Sequence, residues 1–182
     1  RRHLHPPPRP HLRAAGAEVV PVGVPELEGE AGAMAMAGPL FPGEVYGLWR
    51  DVIEANADAV YGEILERFRS GANFSAPDYH AAWARLEAAR KAWDTKMSCY
   101  DAVLAPTAPI LPPNLERLNS DSDYYKTENL LALRNTRVGN LMGLCALTLP
   151  TGVPSCGIML MGAPNCEEAL VRVGIAAERA LK

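Results

Sequence analysis

The sequence has 182 residues, 48% hydrophobic and 21% charged, a balance that excludes a wholly disordered or collagen-like polymer. That length makes one ordinary domain or a large piece of a bigger one. A net charge of -3 leaves no basic surface of the size that nucleic acid binding needs.

The 15 Gly and 16 Pro predict many turns and short strands rather than a helical bundle. Residues 1–10, Arg-Arg-His-Leu-His-Pro-Pro-Pro-Arg-Pro, are basic and Pro-rich and predict a disordered tail or an expression artefact. His11 to Ala17 reads as the end of a helix closed near Gly16, and Glu18 to Val22 as a short strand, which together indicate α/β. Leu27 to Ala37, rich in Ala, Met and Glu, predicts a helix. From Glu44 the apolar residues Val45, Leu48, Trp49, Val52 and Ile53, then Val60, Tyr61, Ile64, Leu65 and Phe68, fall at helical spacing. They predict two helices, or one bent near Asn56. Ser75-Ala-Pro-Asp78 is a helix start, because the Ser hydroxyl accepts an orphan N–H and Pro77 fits the first turn. Tyr79, Trp83, Leu86, Trp93 and Met97 form its core stripe, with Glu87 and Lys91 paired outside.

Tyr100 to Pro106 predicts a strand stopped by its Pro, and Thr107 to Thr127 a long loop. Glu128 to Met142 predicts a helix ending at Gly143. The strands Ala146 to Leu149 and Ile158 to Met161 follow, joined by a turn with Pro150, Gly152 and Pro154. Val138 to Cys166 carries no formal charge over 29 residues, long enough to span a membrane, but its Pro and Gly residues chop it into strand-length pieces. No membrane association is expected. Asn165 is the expected cap of a last helix that buries Leu170, Val171, Gly174, Ala177 and Leu181.

Chemistry-bearing motifs are scarce. There is no Gly-x-Ser-x-Gly elbow, no Ser-x-x-Lys and no Gly-rich phosphate loop. Three of the four His precede residue 12, and His80 falls in the first turn of a helix. His3 and His5 lack further convergent ligands, and Asp121-Ser-Asp123 lacks the Gly and Glu of a calcium loop, so no metal is expected. Cys99, Cys145, Cys156 and Cys166 have no Cys-x-x-Cys spacing, and no secretory leader opens the chain. Reduced thiols and a cytoplasmic location are expected.

Tyr100-Asp-Ala-Val-Leu-Ala-Pro-Thr-Ala-Pro109, Asn135-Thr-Arg-Val-Gly-Asn-Leu-Met-Gly-Leu-Cys-Ala-Leu-Thr-Leu-Pro-Thr-Gly152, Gly157-Ile-Met-Leu-Met-Gly162 and the Glu167-Glu-Ala-Leu helix, taken in order, resemble the closing half of the amidase signature enzymes. Leu12-Arg-Ala-Ala-Gly-Ala-Glu-Val19 resembles the helix and strand that follow that family's catalytic core. The likeness runs over residues 11–182 and implies an α/β/α fold around a mixed sheet with its catalytic half missing. It implies hydrolysis of carboxylic amides by a Ser nucleophile, a bridging Ser and a Lys base, with no cofactor. Those groups precede the matched region, and Lys91, Lys96, Lys126 and Lys182 match no catalytic position, so no catalytic residue carries over. Thr107, Asn140, Gly143 and Arg67 are the implied substrate-pocket candidates, the alternatives being backbone ties for Asn140, a helix end for Gly143 and a surface ion pair for Arg67. Leu133 stands where amidotransferase A subunits carry an Asp for the glutamine ammonium, which disfavours that branch. The expected partner is a complementary N-terminal half, or a second copy through self-association. The alternatives are a non-catalytic interaction module and a piece of a glutamine-dependent amidotransferase.

Overall fold

The computed structural model describes residues 9–27 and 33–182. Most of the expected tail and the middle of the expected helix over 27–37 therefore lie outside the described residues. In chain order the helices of the first half are α1 (Arg9–Ala14), α2 (Ala33–Ala55), α3 (Gly62–Arg69) and α4 (Ala76–Met97). After them come β1 (Val103–Pro106), α5 (Leu115–Ser120), α6 (Ser122–Ala132), α7 (Arg134–Met142), β2 (Cys145–Pro150), β3 (Gly157–Gly162) and α8 (Glu167–Leu181). The chain divides into two compact units, one formed by residues up to Gly23 together with Asp94–Lys182, the other by Val24–Trp93.

Within the second unit, α2 continues through Gly38, Pro39 and Pro42. The sequence expectation of separate helices before and after that point is corrected, since tertiary packing overrides two prolines that would break an isolated helix. Leu40 and Ile53 are buried, whereas Leu48, Trp49 and Val52 are 73%, 58% and 56% exposed. Helical spacing located that apolar stripe but did not determine which part of it is covered. The expected break near Asn56 is present, where a 3-10 turn over Ala57–Ala59 separates α2 from α3. Arg69 of α3 grips Glu54 of α2 through Nε at 2.9 Å and Nη2 at 2.5 Å, and this holds the Glu54 carboxyl below its ordinary value.

The start of α4 has the Ser75 cap its sequence predicts, and Asp78 adds the reciprocal half of a capping box. The Asp78 N–H donates to the Ser75 hydroxyl at 3.3 Å, while the Ser75 N–H and hydroxyl donate to the Asp78 carboxylate at 3.0 and 2.6 Å. Two orphan backbone donors are thereby satisfied. These bonds, the hydroxyl's first, hold Asp78 below its ordinary value of 3.8. A carboxyl depressed by folding adds stability that is complete above 3.8 and is lost as pH falls through the folded-state value. Asp78→Asn is therefore expected to be less stable than the parent at neutral pH, with the gap closing in acid. Denaturant titrations across that range check this, and a gap independent of pH would contradict it.

In the first unit, β3 lies between β1 and β2 and pairs antiparallel with both, with Leu104 and Leu147 opposite Leu160. Ile158 to Gly162 are buried without a break, as expected of a central strand covered on both faces. One face packs Ile158 and Leu160 with Leu12 of α1 and with Leu170 and Ala177 of α8. On the other, a Cβ added at Gly139 of α7 would lie 3.8 Å from the Met161 sulfur. Helices on both sides of a sheet give the α/β/α layering.

Four local expectations are corrected. Glu18 to Val22 forms no strand. Val19 packs against the α8-side core, its carbonyl accepting from the Arg13 guanidinium, and none of these residues joins the sheet ladder. Residues 107–127 are no continuous loop, because Asn114 and Asp121 accept from the N–H groups of Arg117 and Tyr124 and so start α5 and α6. The helix expected over 128–142 is divided at Leu133. Asn165 does not cap α8. It takes a left-handed φ of 58, Cys166 holds the cap position with no side-chain bond, and Val171 is 52% exposed.

Candidate functional site

A small group of polar residues of the first unit lies where β1 ends. Alternation along the strands puts Ala105, Thr107, Thr148 and Met159 on the face opposite the α8 core. Pro106 ends the strand and has no N–H to give. The ladder is carried one residue further by Thr107, whose N–H donates to the Gly157 carbonyl at 3.0 Å. The Thr107 hydroxyl donates to that of Thr148 at 3.3 Å. Gly157 lies against both, since a Cβ there would come within 2.9 Å of Thr107 Oγ1 and 3.1 Å of Thr148 Cγ2. From the first turn of α7, Asn135 Nδ2 donates to the Pro106 carbonyl at 2.7 Å.

Of the residues implied by resemblance, Thr107 is therefore held within a polar cluster. Asn140 is exposed on α7, five residues beyond Asn135 and so about 7.5 Å further along the helix axis. Gly143 closes α7 with φ 70, its N–H bonded to the Asn140 carbonyl and the Leu144 N–H to the Gly139 carbonyl. That is a Schellman ending, which needs a residue tolerant of positive φ, so Gly143 has a full structural explanation. Arg67 belongs to α3 in the other unit, where its carbonyl accepts from the Ser70 hydroxyl at 2.7 Å. The residues that pattern reading missed are Asn135, Thr148 and Gly157. The signals available were a Thr between two apolar residues of β2 and a Gly heading an apolar strand.

The cluster can orient a bound group through hydroxyl and amide dipoles. It contains no side chain able to take or give a proton near neutral pH, which general acid–base chemistry requires. Among the described residues, no three His, Cys, Asp or Glu side chains are grouped to hold a metal. No described helix is long and apolar enough to cross a membrane.

The family model for amidases matches residues 9–171, and the chain belongs to that family. It is 29% identical, over 92% of its length, to 2-amino-5-chloromuconic acid deaminase of Comamonas testosteroni. It is 30% identical over the same share to the A subunit of the glutamyl-tRNA(Gln) amidotransferase of Halobacterium salinarum. The chain spans only 37% and 44% of these two relatives. Among solved structures it resembles Kluyveromyces lactis allophanate hydrolase, with a TM-score of 0.78 at 21% identity over 96% of this chain and 28% of that one. It also resembles 6-aminohexanoate cyclic dimer hydrolase, with a TM-score of 0.75 at 18% identity over 98% of this chain and 42% of that one. Those two likenesses establish the fold.

Proposed function

We propose that this chain is the C-terminal portion of an amide hydrolase, forming the acyl-side wall of its pocket and performing no chemistry alone. The reaction it serves converts a carboxylic amide and water to an acid and ammonia or an amine. The observation that carries this reading is the polar end of β1, where Thr107, Asn135, Thr148 and Gly157 bring oriented dipoles together with no acid or base. No Gly/Ser-rich loop stands anywhere in the sequence to supply a nucleophile and oxyanion donors. Lys96 is engaged with the Gly23 carbonyl at 3.0 Å and Lys182 with Glu178 at 3.3 Å. The chemistry then comes from a complementary portion of protein. In its absence, the edges of β1 and β2 that are unpaired among the described residues favour self-association. Four free thiols fit a reducing compartment such as the cytoplasm.

The 30% identity to an amidotransferase A subunit favours a second reading, in which the amide is glutamine. Leu133, 43% exposed between α6 and α7, offers no charge to an ammonium and weighs against it. The test is release of ammonia or amine by the purified chain from a panel of aryl and aliphatic amides, with an intact-mass measurement to reveal any second polypeptide. No turnover is expected from the chain by itself. Turnover that persists in a sample of this single polypeptide would overturn the reading.

A further inference from the structure

We propose that Asn135 is a positioning residue, which sets the place of Thr107 in the pocket by holding the carbonyl of the residue before it. The inference rests on the amide-hydrolase reading above and deepens it. Pro106 is the last residue of β1, and as a proline it cannot fix its own peptide through an N–H. Its carbonyl is engaged by Asn135 Nδ2 at 2.7 Å. The peptide that carries this carbonyl also carries the Thr107 N–H, which donates to Gly157 at 3.0 Å. One peptide plane is thus pinned from both sides, by α7 through its oxygen and by β3 through its nitrogen. The Thr107 side chain leaves the atom next to that plane and is limited in turn by Thr148 at 3.3 Å and by the space a Cβ on Gly157 would fill. Asn135 is half-buried and makes this bond from the helix whose Gly139 approaches the Met161 sulfur, so the bond ties α7 to the end of β1.

The amide of Asn135 supplies a donor without charge. Asp at this position would set an acceptor against an acceptor, whereas Gln keeps the donor on a longer arm. If Thr107 touches the acyl group equally in the bound and transition states, loosening it raises KM and leaves kcat.

The experiment compares Asn135→Ala, Asn135→Asp and Asn135→Gln with Thr107→Val in two measurements. In the full chain, amide hydrogen exchange at Thr107 is expected to quicken about fivefold in the Ala and Asp variants, the worth of one hydrogen bond. Exchange at Val103 and Ala105, and the unfolding midpoint, should hold, with Gln restoring part of the protection. In the enzyme assembled with its catalytic portion and assayed on hexanamide, KM is expected to rise several-fold in the Ala and Asp variants and in Thr107→Val, with kcat kept. Unchanged exchange at Thr107 in Asn135→Ala overturns the positioning role itself. Quickened exchange with a KM that neither Asn135→Ala nor Thr107→Val moves overturns the pocket reading on which the inference stands.

Discussion

Gly71→Ala is expected to destabilise the Val24–Trp93 unit by about 3 kcal/mol or more, at the upper end of overpacking costs. Gly71 is buried in the short turn Ser70–Asn73, and a Cβ there would stand 2.1 Å from the carbonyl oxygen of Pro42, 2.5 Å from its carbonyl carbon and 2.8 Å from Tyr46 Cβ. The first two atoms are backbone within α2, so no rotamer change relieves the clash. Either the turn leaves the helix or α2 bends. Gly47, on the same helix, has nothing within 4 Å of its added Cβ and is exposed. Gly47→Ala should therefore stabilise by up to about 1 kcal/mol, the propensity difference in a helix interior. Denaturant unfolding of the two variants checks both signs. Equal losses in both, or a neutral Gly71→Ala, would show that the turn does not pack against α2 as described.

The contrast between those two glycines marks what sequence can and cannot show. Features decided within one turn of chain were legible, as Ser75 shows by accepting the Asp78 N–H at the start of α4. Gly143 likewise announces a helix end because a left-handed residue is needed there. Gly71 is constrained by a segment about thirty residues away, and no local pattern carries that constraint. Asn114 and Asp121 were misleading for a related reason. Their side chains satisfy either a turn or the first N–H groups of a helix, and the residue types alone do not decide between them. The Glu18 to Val22 segment has strand composition, but a strand exists only with a ladder partner.

The same logic applies to the site. Resemblance pointed to Thr107, and the structure surrounds it with Asn135, Thr148 and Gly157. None of these three was a candidate from pattern alone, because each matters through a partner distant in sequence. The Asn135–Pro106 bond spans 29 residues. Arg67, legible only through the family resemblance, stands in the other unit. What reads directly from the sequence is that the Gly-x-Ser-x-Gly and Ser-x-x-Lys patterns do not occur in it, because a motif search needs no geometry.

Leu160→Ala should remove about 3 kcal/mol from the first unit, within the range for deleting a buried Leu side chain beyond Cβ. Leu160 is 5% exposed on the central strand, where it meets Leu104 and Leu147 of the flanking strands and the cluster from α1 and α8. A cavity there is bounded by helix on one side and by hydrogen-bonded strands on the others, so collapse around it is limited. The neighbouring residue Met159 is 3% exposed but points to the opposite face. Met159→Leu, close to conserving volume, should cost less than about 1.5 kcal/mol. Val171→Ala, on the exposed face of α8, should stay within about 0.5 kcal/mol. The ranking rather than any single value tests the sheet order. If β3 were an edge strand instead of the middle one, Leu160 would lose a flanking neighbour and the three substitutions would draw together in unfolding midpoint.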